Sequence, residues 1–198
     1  MRKAGQVVAR MIAAVKQAVE PGVTTKQLDA VAAKELKRQG AKPAFLGYMG
    51  FPATICTSVN EQIVHGIPGD RVLKEGDLLK IDVGAVVDGL YGDSAMTLPV
   101  GRVSEEAMRL IETTKNSLDA AIEVVKSGNR LGDIGAAVQE YAESRGYGVV
   151  REYVGHGIGR NLHEEPQIPN YGVAGRGALL HAGMAIAIEP MVNVGTWR

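Results

Sequence analysis

Residues 80–97, KIDVGAVVDGLYGDSAMT, constrain the fold more than any other stretch, because apolar and β-branched runs flank an Asp-Gly pair. A two-residue type I′ turn needs φ > 0 at both central positions, which Asp88 and Gly89 tolerate, so the run predicts a tight β-hairpin. With Val87 facing Leu90, Gly84 faces Asp93 and Asp82 faces Ala95. Asp82 and Asp93 then share one face as diagonal neighbours, their backbones about 7–8 Å apart. Like charges that close need protons or cations between them, and a divalent metal is the usual answer. Local readings stand beside this one: Asp88 as turn chemistry, and a strand aspartate as a solvated or capping group.

Composition narrows the class. The 198 residues suffice for one substantial core and suggest a single domain. Lys+Arg and Asp+Glu both number 22, so there is no basic surplus to point to a nucleic-acid partner. No uncharged apolar run is long enough to span a membrane. The opening MRKAGQVVARMIAAV begins with basic residues, but Gln6 and Arg10 interrupt the apolar core that a signal peptide requires. The lone cysteine, Cys56, excludes an internal disulfide and fits a reducing, cytoplasmic setting.

Taken in order, residues 1–19 carry Val7, Val8, Met11, Ile12, Val15 and Val19 at helical spacing, ended by Pro21-Gly22. Thr24 or Thr25 caps a second helix with Leu28, Val31, Ala32 and Leu36 on its apolar face and Gly40 as its stop. A Gly/Pro/aromatic loop at 41–52 leads to a strand-like run at 53–59. After the hairpin, helices are expected at 104–126 and 131–145, then strands at 148–154 and 183–194. Shifted by 106 positions, the second helix pair falls on the first: Gly22 on Gly128, Leu28 on Ile134, Gly40 on Gly146. A duplicated helix–helix–sheet unit is the expectation, with ordinary helix punctuation as the alternative.

Residues 155–166, GHGIGRNLHEEP, form a glycine-rich region with two histidines. Arg160 stands where a dinucleotide fingerprint needs its third glycine, and Gln167 where the helical zinc-protease motif needs its second histidine. Glu189 interrupts the apolar run 183–194, where a carboxylate requires a cation or a strand-end position. The candidates are therefore His65, Asp82, Asp93, His156, His163 and Glu189; His181, in a loop, is read as solvent-facing. Carboxylate-rich ligation with an imidazole suits Mn, Fe, Co or Zn pairs, which can activate water and clamp a peptide carbonyl.

The segments TSVNEQIVHGIP, IDVGAVVDGLYGDSAMTLPVG, GHGIGRNLHEEP and IAIEPMV resemble, in this order, the signatures of type I methionine aminopeptidase, the bacterial-type enzyme of peptidase family M24. The resemblance implies the α+β pita-bread fold, a pseudo-twofold repeat of helix pairs on a curved antiparallel sheet. It also implies two divalent ions (Co, Mn, Fe or Zn), with Asp82 chelating one, Asp93 bridging both, and His156 and Glu189 holding the other. His65 and His163 would contact the scissile peptide and stabilise its tetrahedral intermediate. Tyr48, Phe51 and Cys56 would line the methionine side-chain pocket, with ordinary packing as the alternative.

The function so implied is removal of the initiator methionine from nascent chains with a small second residue, in the cytoplasm, at the ribosome, by a monomer that binds neither nucleic acid nor membrane. The pattern departs from the family in three places. Tyr91 stands where many relatives have histidine, Leu162 replaces a common aromatic, and no acidic residue follows Glu189 to serve as the second bridging glutamate. The expectation is thus a single catalytic domain over 1–198, incomplete at its C-terminus, binding at most one metal tightly, with little or no aminopeptidase activity, and self-associating through an exposed strand at 184–194. The alternative is a truncated or non-catalytic pita-bread protein with an incomplete metal site. Proline-directed relatives of the fold are a further alternative.

Overall fold

The computed structural model describes residues 1–198. The elements in order are α1 (Arg2–Ala18), α2 (Thr25–Arg38), β1 (Lys42–Pro43), β2 (Ile55–Val59), β3 (Leu78–Val87), β4 (Leu90–Pro99), α3 (Glu105–Glu123), α4 (Leu131–Glu143), β5 (Tyr147–Val149), β6 (Gly155–Gly157), β7 (Glu164–Ile168), β8 (Ile186–Ala187) and β9 (Val192–Val194). They form two compact units, Met1–Glu105 with Gly159–Leu162, and Glu106–Ile158 with His163–Arg198.

In the first unit, β3 pairs antiparallel with β1, β2 and β4. The hairpin has the register expected of its turn: Val87 faces Leu90, Gly84 faces Asp93 and Asp82 faces Ala95. Asp88 and Gly89 take φ of 52° and 75°, as a type I′ turn demands. The two-residue period of β3 then sorts its side chains. Leu79, Ile81, Val83 and Ala85 are fully buried with Val8, Met11 and Val15 of α1 and Leu28 and Ala32 of α2. Lys80, Asp82 and Gly84 face the other way, which frees that side of the sheet for chemistry. Each large aliphatic side chain buried in this core contributes roughly 1.5–3 kcal/mol. Thr24 caps α2 through a capping box with Gln27.

The second unit buries Ala121 of α3, Ile134, Val138 and Ala142 of α4, and Val149, Ile168 and Leu180. Its strands are short and antiparallel, β5 with β9 and β6 with both β7 and β8. The duplication expected from the sequence extends to backbone hydrogen bonds. The Gly22 N–H donates to the Leu73 carbonyl at 2.8 Å and Gly128 N–H to Leu180 at 3.1 Å; Thr25 donates to Arg71 at 3.0 Å and Leu131 to Ala178 at 3.0 Å. Gly22 and Gly128 both adopt φ of 95°. The same helix–turn–helix device is built twice.

Several boundaries differ from the sequence reading. The run 183–194 is not one strand: β8 pairs with β6 and β9 with β5, and the chain breaks at Glu189-Pro190. Proline has no N–H for a ladder, so the strand must stop and restart there. The strand expected at 148–154 is limited to Tyr147–Val149. The helix expected to reach 126 ends at Glu123, short of its Ser127-Gly128 stop. Within the loop 41–52, Lys42 and Pro43 add a short edge to β3.

Two glycines of the hairpin test this packing. A Cβ at Gly89 meets nothing within 4 Å, whereas one at Gly92 lies 2.9 Å from the Ala4 carbonyl carbon and 3.0 Å from Gly5 N on α1. Gly89→Ala should therefore cost only the left-handed backbone penalty of about 1–2 kcal/mol. Gly92→Ala should lower the urea midpoint further, because helix backbone must move away from the sheet.

Candidate metal and substrate site

The first donor set sits on the sheet face turned away from the helices. Asp82 and Asp93 sit two rungs apart in the ladder, with the Val83–Ser94 pair between them, and both are half-buried. Cys56 of β2 faces Asp82 directly and is buried. Burial first, then the negative charges of Asp82, Asp93 and Asp29, push the Cys56 thiol far above its ordinary range. It stays a neutral, apolar thiol at physiological pH, suited to a wall rather than to nucleophilic attack.

The loop expected to line a pocket is fastened to the same face. A Cβ at Gly84 would lie 2.6 Å from the Phe45 ring and 2.7 Å from the Ala44 Cβ, so only glycine lets this loop cross the sheet beside Asp93. Tyr48 and Phe51 lie in one tight turn, closed by Gly47 N–H donating to the Phe51 carbonyl at 2.8 Å and Phe51 N–H to Tyr48 at 2.9 Å. Phe51 is half-buried and Tyr48 is exposed. His65 is exposed, on a loop following β2, with φ of 59°.

The second donor set belongs to the second unit. His156 of β6 is buried, and its Nδ1 lies 2.8 Å from the Gly157 carbonyl. A carbonyl can only accept, so Nδ1 carries a proton, and the second nitrogen, Nε2, is the one that can offer a lone pair. That Nε2 is 3.2 Å from Glu189 Oε1, a buried oxygen without a hydrogen bond. Two lone pairs facing each other at this distance repel unless a proton or a cation joins them. An imidazole nitrogen and a carboxylate oxygen are donors that Zn, Mn, Fe and Co accept, so the pair fits a divalent metal. His163 is exposed, and its ring lies 4.3 Å from that of His156, edge to face. His181 is exposed, as its loop position suggested.

Three further residues shape these sets without having been singled out in the sequence. Asp29 of α2 accepts from Thr54 N–H at 2.8 Å and Ile55 N–H at 3.0 Å, fixing the start of the strand that carries Cys56. Asn170 is wholly buried and donates from Nδ2 to the Glu189 carbonyl at 2.6 Å. Lys80 shares the β3 face with Asp82, and its ammonium donates to the Asn60 carbonyl. Asp29 and Asn170 belong to no motif in the sequence, and their partners lie 19 to 26 positions away. Only the period of β3 could have placed Lys80 beside Asp82.

Comparison with known proteins supplies the family. The family model described as Metallopeptidase family M24 matches residues 1–198. A methionine aminopeptidase of Clostridium acetobutylicum is 53% identical over 198 residues, covering 100% of this chain and 79% of that relative. Methionine aminopeptidase 1 of Bacillus subtilis is 52% identical over 196 residues, covering 99% and 79%. The crystal structure of methionine aminopeptidase from Thermotoga maritima has a TM-score of 0.98 at 48% identity, covering 100% of this chain and 80% of that one. A prolidase from Pyrococcus furiosus has the same fold, with a TM-score of 0.85 at 26% identity, covering 98% and 55%.

Lys80 gives a test of the electrostatics. Desolvation pulls its ammonium down to about 8, partly offset by Glu61. The folded state therefore binds fewer protons than the unfolded chain between about 8 and the ordinary value of 10.5, so this residue makes stability rise with pH across that window. Lys80→Met should flatten the rise in urea midpoint between pH 7.5 and 10 and leave the remaining pH dependence alone.

Proposed function

The chain belongs to metallopeptidase family M24, and on that premise we propose that it is an aminopeptidase that removes the N-terminal methionine from peptides with a small second residue. The observation that carries this reading is the identity of about half of all residues, along the whole chain, with relatives named methionine aminopeptidase. The proline-directed relatives of the same fold are far less similar in sequence.

In this reading Asp82 and Asp93 on the first unit, and His156 and Glu189 on the second, are the divalent-metal donors, and two ions of Mn, Fe, Co or Zn are bound. The metal supplies Lewis acidity, making a nucleophile of water near neutral pH and polarising the attacked carbonyl. The protein does the rest. Gly157 holds the His156 ring in the tautomer that points Nε2 at Glu189, which spares the site the cost of reorganising when it is filled. His65 and His163 contact the scissile peptide and donate to the oxygen on which negative charge develops. Tyr48, Phe51 and the neutral Cys56 thiol form an apolar wall that takes an unbranched thioether and refuses a charged side chain. The substrates are nascent chains, which puts the enzyme in the cytoplasm with access to the ribosome, working as a monomer. No helix is long and apolar enough to cross a membrane.

The direct test is release of free methionine from Met-Ala-Ser in the presence of Mn or Co, with Leu-Ala-Ser and a Xaa-Pro dipeptide as controls. Methionine release that is abolished by a chelator supports the reading; preferential cleavage of the Xaa-Pro dipeptide overturns it. His163→Ala should lower turnover by about 10²–10³ while bound metal is unchanged, because it removes a donor to the developing charge and no ligand. Asp93→Asn should do the reverse at the first step, weakening Mn binding in calorimetry, since a neutral amide cannot compensate a divalent charge. Asn binding the metal as tightly as Asp would remove Asp93 from the donor set.

A further inference from the structure

We propose that Ser58 is a positioning residue that sets the orientation of His65, an inference that rests on the reading of His65 as a contact to the scissile peptide. Its hydroxyl is almost wholly buried at the end of β2, 1% exposed, where nothing in the metal or pocket chemistry requires a serine. Ser58 Oγ accepts the Gly66 N–H at 2.9 Å, and the Gly66 carbonyl accepts the Thr57 N–H at 2.8 Å. The peptide N–H that Ser58 holds belongs to the plane joining His65 to Gly66. Fixing that plane fixes ψ of His65 and so the direction of its Cα–Cβ bond.

Two independent features show that the loop is clamped here rather than resting against the strand. A Cβ on Gly66 would lie 2.2 Å from the Thr57 carbonyl oxygen and 2.9 Å from the Ser58 Cα, so the loop backbone lies flush on β2. His65 itself holds φ of 59°, a left-handed conformation that a non-glycine residue keeps only when its surroundings impose it. The imidazole is exposed, and the backbone that carries it is held through the bonds to Gly66. Of the two that pin Gly66, one is main chain to main chain; the other ends on a side chain, and Ser58 is the side chain.

Removing the hydroxyl leaves the buried Gly66 N–H without its acceptor and lets the His65–Gly66 plane turn. A misplacement of about 1 Å at a catalytic group can cost about 10²-fold in rate, so Ser58→Ala should lower kcat on Met-Ala-Ser at least about tenfold. Ser58→Thr keeps the acceptor and should stay within about threefold of the parent; Ser58→Cys, close in size but a poor acceptor, should follow alanine and replaces it if alanine does not fold. The decisive arm is the cycle with His65→Ala. If Ser58 acts through His65, the double variant turns over at the rate of His65→Ala alone, with bound metal unchanged in all arms. Losses that multiply, or a threonine variant as slow as alanine, overturn the proposal while leaving the function intact. A His65→Ala variant at the parental rate overturns the role of His65, and that of Ser58 with it. Independently of turnover, the Gly66 amide should be protected from hydrogen exchange in the parent and lose that protection in Ser58→Ala; an unprotected Gly66 amide in the parent contradicts the clamp.

Discussion

The register of the β3–β4 hairpin is the constraint on which the first unit depends. Side chains on a strand alternate faces, so a slip of one residue would drive Asp82 among the aliphatic side chains of α1 and α2 and turn Leu79, Ile81 and Val83 out to water. The left-handed pair Asp88-Gly89 forbids that slip by permitting only a two-residue turn. Gly92 strengthens it by letting α1 lie against β4 at a distance no side chain would allow. Stability and chemistry thus share one register: the face that binds the helices leaves the carboxylates on the other.

The duplication shows how a single local device can serve different ends. A helix ended by a left-handed glycine, followed by a second helix whose first N–H groups bond a distant segment, recurs in both units with matching partners. The strands attached to it diverge. In the first unit they form a long hairpin carrying aspartates; in the second they are short, interrupted at Pro190, and carry a histidine and a glutamate. Carboxylates alone favour hard cations, and the imidazole of His156 brings in transition metals.

Much of this was legible in the sequence, and for definite reasons. Turn chemistry fixed the hairpin to the residue, and helix punctuation at Gly22, Gly40, Gly128 and Gly146 exposed the repeat, since both signals are local. The six candidates His65, Asp82, Asp93, His156, His163 and Glu189 could be listed from their glycine-rich and strand contexts, and the family resemblance supplied the role expected of each. What escaped depends on the third dimension. The break at Glu189-Pro190 was hidden because an apolar run looks continuous whichever sheet each half joins. Ser58 and Asn170 are ordinary polar residues in sequence, and only their hydrogen bonds to Gly66 and Glu189 reveal what they hold. Lys80 had no role assigned from the sequence, yet it sits half-buried on the carboxylate face.

The metal chemistry of the second unit depends on which nitrogen of His156 takes the ion. With only four histidines in the chain, ¹⁵N NMR on histidine-labelled protein can assign each ring. The 2.8 Å contact to the Gly157 carbonyl requires His156 to carry a proton on Nδ1, and the Nε2 resonance should shift on addition of Zn while Nδ1 stays protonated. A ring protonated on Nε2 instead, with Nδ1 bare, or an Nε2 that does not respond to the metal, would mean that His156 and Glu189 are joined by a proton and hold no ion.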